Sequence, residues 1–104
     1  MHKIAVLASG KGSIFGAMLE KGVPVSLLLT DRECPAESIA QSHGIPVERI
    51  PRQPYDNDSA YSAAVAVALS GREITISAMS GFMRILDPYY FESFKGFTVN
   101  THPS

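Results

Sequence analysis

The chain has 104 residues, 45% hydrophobic and 18% charged, a balance that supports one buried core and excludes a disordered or fibrous chain. Nine Lys/Arg against ten Asp/Glu leave a formal charge of −1, so composition supplies no field that would select nucleic acid or an anionic membrane. The lone cysteine, Cys34, forms no internal disulfide or cysteine-based zinc site, and without a span of ~20 apolar residues or a signal peptide in MHKIAVLASGKG the expectation is one cytoplasmic domain over residues 1–104.

Short apolar runs alternate with longer stretches of helical spacing, the pattern of βαβ units and of an open parallel α/β sheet with helices on both faces. The run Lys3–Ala8, stopped by Ser9-Gly10, suits a central parallel strand. From Ser13 to Lys21, Phe15, Met18 and Leu19 share a helical face, with Ser13 as the predicted N-cap and Gly22 beyond the end. Val23–Thr30 reads as the second strand, followed by the polar loop Asp31–Pro35 and a helix over Ala36–His43 that Gly44 stops. Pro46–Ile50 is a short third strand, and the prolines at 46, 51 and 54 assign it to an edge. Asp58 or Ser59 is the predicted cap of a third helix that runs to Leu69 and closes at Gly71. Glu73–Met79 is the fourth strand, Ser80–Leu86 an unusually apolar connection, Asp87-Pro88 the start of a short helix through Phe94, and Gly96–Asn100 the last strand.

Two stretches carry candidate chemistry. Gly10-Lys11-Gly12-Ser13 sits between the first strand and first helix, where free N–H groups and the helix dipole favour a phosphate. It is not the dinucleotide fingerprint, because the third glycine would fall on Phe15, nor a Walker loop, whose spacing differs. A tight turn that only packs helix on strand is the alternative. Asp31, at the end of the second strand, stands where a dinucleotide's ribose would be read, or is simply a polar exit from the strand. In the second stretch, residues two apart share a strand face, so Thr98, Asn100 and His102 point one way and Phe97 and Val99 the other. A carboxamide that donates to an oxyanion beside an imidazole that moves protons suits acyl-type transfer. A polar tail is the plainer alternative.

Three motifs in order resemble the amino-terminal half of the phosphoribosylglycinamide formyltransferases, also called glycinamide ribonucleotide transformylases, the folate-dependent formyltransferases of purine biosynthesis. Val6–Ser13 is similar to that family's phosphate-binding loop, Gly81–Leu86 to its folate-pocket segment, and Val99-Asn100-Thr101-His102-Pro103-Ser104 to its catalytic strand end. The resemblance implies a Rossmann-like fold. It implies that Gly10, Lys11, Gly12, Ser13 and Ile14 form the substrate-phosphate loop, largely through backbone N–H groups. It further implies that Met83, Arg84, Ile85 and Leu86, with Asn100, hold 10-formyltetrahydrofolate as co-substrate, that Asn100 and His102 are catalytic, and that no metal takes part.

The chain departs from the family at three points. Position 14, usually Asn, is Ile14, and a basic residue often found before the third helix is replaced by Asp58. The length is about half the family's, so a third catalytic residue, an aspartate, and much of the folate site fall outside it. The fragment is therefore expected to bind phosphate weakly and not to turn over. Related readings are formyltetrahydrofolate hydrolase, which usually shows His-His-Ser where this chain has His102-Pro103-Ser104, and methionyl-tRNA formyltransferase, whose opening loop matches less well. A non-catalytic nucleotide-binding module and a self-associating remnant are readings of another class. Expected partners are small molecules rather than nucleic acid or membrane, and a homodimer stays open.

Overall fold

Strand β1 (Ile4–Ala8) lies at the middle of a parallel sheet because both of its faces can be buried: Ala5, Val6, Leu7 and Ala8 expose no surface. It is flanked by β2 (Val25–Thr30) and β4 (Ile76–Ser80), with β3 (Val47–Arg49) and β5 (Phe97–Thr101) at the edges, giving the order β3-β2-β1-β4-β5. The computed structural model describes residues 2–101, and among these every strand pairing is parallel. The proline-crowded β3 is an edge strand, as its sequence predicts, and spans only three residues.

The helices are α1 (Ser13–Glu20), α2 (Pro35–Ser42), α3 (Asp58–Gly71) and α4 (Pro88–Ser93). Alternation along the strands sorts side chains into two layers. Ala5, Leu7, Leu27 and Leu29 pack with Tyr61, Val65 and Leu69 of α3 and Tyr90 of α4. Val6, Ala8, Leu28 and Ala78 pack with Phe15 of α1 and Ala36 and Ala40 of α2. Each fully buried leucine contributes roughly 1.5–3 kcal/mol, so the two layers together hold the sheet between its helices. The Rossmann-like architecture expected from the alternation is the one observed.

Several boundaries differ from expectation. Gly12, not Ser13, is the N-cap of α1. The cap of α3 is Asn57, whose side chain accepts from the Ala60 amide at 2.8 Å, so Asp58 and Ser59 are helical residues. Strand β4 begins at Ile76 rather than Glu73, because Glu73 has φ 60° and the Ile74 amide is bonded to Leu69 O at 3.0 Å, closing the end of α3. The start of α4 is as predicted: Asp87 caps it, accepting from the Tyr89 amide at 3.0 Å.

Candidate functional site

The order of strands reverses between β1 and β4. The crevice outside the carboxyl ends of the strands at such a reversal is where open parallel sheets hold ligands. The glycine turn after β1 and the connection after β4 both open there.

Gly12 adopts φ 76° and ψ 28°, and no side chain caps the helix it starts. The first intrahelical bond runs from the Gly16 amide to Gly12 O at 2.8 Å. The amides of Ser13, Ile14 and Phe15 therefore have no acceptor within the helix, and the first turn contains no acidic residue. A Cβ at position 12 would stand 2.8 Å from Ala36 Cβ. Position 12 thus combines a left-handed backbone with close packing of α1 on α2, and the turn both packs and presents donors. Gly10, Lys11, Gly12, Ser13 and Ile14 line one cleft of about 240 Å³ with Ser80 and Gly81. Lys11 and Ser13 are exposed beside it.

The connection over residues 81–87 is held differently. Among the described residues, positions 82–86 make no backbone–backbone hydrogen bond. The Met83 amide donates to Ser9 Oγ at 2.8 Å, Arg84 Nε donates to Asp31 Oδ2 at 2.6 Å, and the Asp87 amide donates to Ser62 Oγ at 3.0 Å. Phe82 and Leu86 lean on the layer of α3 and α4. Met83 and Ile85 stand out to solvent, each 69% exposed. Of the four candidate folate contacts, then, two side chains are free, Arg84 is tied inward, and Leu86 is half-buried.

Asp31 is the polar residue that leaves β2, one of the two alternatives weighed from the sequence, but it is turned inward. Its side chain has no exposed surface, and Arg32 also donates to it, from Nε at 3.2 Å and Nη2 at 2.8 Å. Burial raises its carboxyl, but hydrogen bonding from Arg32, Ser9 and Arg84 outweighs that and holds it below the usual aspartate range. No carboxylate is left facing solvent to read a ribose. Local pattern singled out Asp31 but not this role, since its partner Arg84 lies far along the chain.

Asn100 is exposed on β5, in register with Met79 next to Ser80 and Gly81. Thr98 turns inward, within 3.0 Å of Ser77 Oγ and 3.1 Å of the Tyr90 hydroxyl, while Phe97 and Val99 are 70% and 50% exposed on the other face. Asn100, two residues after Thr98, therefore shares the face of the 82–86 connection. His102 lies outside the described residues. Asp58 is engaged by Arg52 Nε at 3.0 Å. A second acid, Glu37, is held low by the Arg49 fork and, against burial, by the Thr30 hydroxyl at 2.7 Å. Among the described residues no three His, Cys, Asp or Glu side chains are grouped to hold a metal ion, and no helix is long and apolar enough to cross a membrane.

Sheet order and layers place the chain among the Rossmann-like α/β proteins. The chain belongs to the formyl transferase family, whose profile matches residues 2–104. It is 35% identical to the phosphoribosylglycinamide formyltransferase of Mycobacterium tuberculosis (strain H37Rv) over 107 residues, covering 98% of this chain and 50% of that one. With the Bacillus subtilis enzyme of the same name the identity is 29%, over 100% of this chain and 57% of the relative. The crystal structure of phosphoribosylglycinamide formyltransferase from Streptococcus pneumoniae superposes with a TM-score of 0.89 at 30% identity, covering 98% of this chain and 57% of that one. The chain thus spans about half the length of the curated relatives it matches.

Proposed function

We propose that this chain forms the amino-terminal, phosphate-binding domain of a cytoplasmic phosphoribosylglycinamide formyltransferase, taking a formyl group from 10-formyltetrahydrofolate to the amine of glycinamide ribonucleotide. The observation that carries this reading is the uncapped start of α1, whose free amides and neighbouring Lys11 face the cleft of Gly10–Ile14. Donors of this kind, with no acid in the first turn, suit a phosphate. Exposed Met83 and Ile85 beside unbonded backbone of residues 84–86 suit a flat heterocycle with polar edges.

In this reading the substrate amine adds to the formyl carbon, the bond from that carbon to the folate nitrogen breaks, and the proton lost by the amine ends on the departing nitrogen. The Asn100 carboxamide donates to the formyl oxygen as it gains negative charge, an interaction worth about 3–4 kcal/mol when preorganised. His102 carries the proton. In this reading the third catalytic residue, an aspartate, and the remainder of the folate site belong to the part of the relatives that this chain does not match.

An amide-resolved NMR titration tests the reading. Glycinamide ribonucleotide is expected to shift Gly12, Ser13 and Ile14 saturably, with NAD leaving them unchanged. A chain that bound NAD and ignored the ribonucleotide would overturn the assignment.

A further inference from the structure

We infer that Asp31 and Ser9 are positioning residues that hold the 83–86 connection at the candidate site from beneath, with Arg84 serving as the clamp. The inference deepens the formyltransferase reading and rests on it for what the loop binds. The position of the loop itself follows from geometry alone.

Residues 82–86 have no backbone–backbone hydrogen bond among the described residues, so side-chain ties set where they lie. Ser9 follows β1 and receives the Met83 amide, and Asp31 follows β2 and receives Arg84 Nε. Both anchors are buried, Ser9 at 6% and Asp31 at 3% exposure. They directly follow the buried ends of β1 and β2, whose last four residues are all buried. With Arg84 drawn inward, its neighbours Met83 and Ile85 are turned outward, each 69% exposed. The loop therefore offers two apolar side chains and a polar backbone edge from a fixed footing, while Arg84 Nε is bonded to Asp31 below.

Ser9 also precedes Gly10, the first residue of the glycine cleft. One short segment, residues 9–12, thus carries the loop's anchor at one end and the uncapped helix start at the other. The two parts of the candidate site keep their separation because they share this segment and the neighbouring strand ends. A water-exposed ion pair would not serve in this way, since such pairs hold geometry weakly. Here the acceptor is enclosed, and losing its charge would leave half-buried Arg84 facing a neutral group.

The experiment compares the chain with Asp31→Asn and Ser9→Ala by amide hydrogen exchange and by titration with 10-formyltetrahydrofolate and glycinamide ribonucleotide. Both variants are expected to speed exchange of the Met83 amide about tenfold or more, with strand amides at Val6 and Leu28 changed less than about twofold. The folate dissociation constant should rise by a similar factor in Asp31→Asn while that of the ribonucleotide moves less than about twofold. If Asp31→Asn does not fold, Ser9→Ala carries the test, since it removes only a hydroxyl. Unchanged Met83 exchange in the folded variants would overturn the inference. A parent chain that binds no folate would instead remove the functional reading, and the exchange result would still decide the anchor.

Discussion

The glycine turn and the 81–87 connection sit at the same end of the sheet and are built on opposite terms. The turn is specified by backbone shape: a left-handed glycine whose missing side chain lets α1 meet α2. The connection is specified by side chains reaching up from the strands and α3. One region is fixed by what a residue lacks, and its tolerance is steric. The other is fixed by charge and hydroxyl partners, and its tolerance depends on protonation.

The sharpest way to break the contrast is at Gly12. Gly12→Ala adds a left-handed penalty to a Cβ 2.8 Å from Ala36 Cβ, and urea denaturation should show a loss of about 2–4 kcal/mol. Gly10→Ala is the control, because no atom lies within 4 Å of that Cβ, and it should leave stability within about 0.5 kcal/mol. Equal losses at the two positions would mean that α1 and α2 do not pack as described.

Acid addresses the other region. The Asp31 and Glu37 carboxyls lie below their ordinary range, so their stabilisation is complete above the unfolded values of about 3.9 and 4.3 and is lost as pH falls through the folded ones. Each unit of depression is worth about 1.4 kcal/mol. Titrated from about pH 6 to about pH 2, so as to pass below the ordinary carboxylate range, the Met83 and Arg84 signals should move ahead of those of Gly12 and Ser13. Simultaneous movement would show that the loop has no footing of its own. The smallest effect is expected from Ile14→Asn, which adds a side-chain donor beside the cleft. It should tighten ribonucleotide binding by a factor of about three to ten, the worth of one hydrogen bond, as read by calorimetry.

These two regions were unequally legible in the sequence. Strands, helices and the position of the glycine turn follow from apolar runs, prolines and glycines, because those signals act over a few residues. The caps were harder: Ser13 has the right side chain for an N-cap, yet Gly12 occupies the site because its backbone turns left-handed there. Asn57 took the role expected of Asp58 or Ser59 because its side chain reaches the Ala60 amide. The Arg84 to Asp31 bond joins residues 53 apart, and no local spacing announces such a pair. The resemblance singled out residues 83–86 as a segment, and the structure adds that Arg84 Nε is bonded to buried Asp31.

The central place of β1 has a consequence for assembly. The first strand in the chain is the central one of the five described, so each later strand is added to an edge already present, β2 and β3 outward on one flank, β4 and β5 on the other. A chain emerging amino terminus first meets its template before the pieces that need it. Among the described strands, β5 is the last in chain order and pairs with β4 alone.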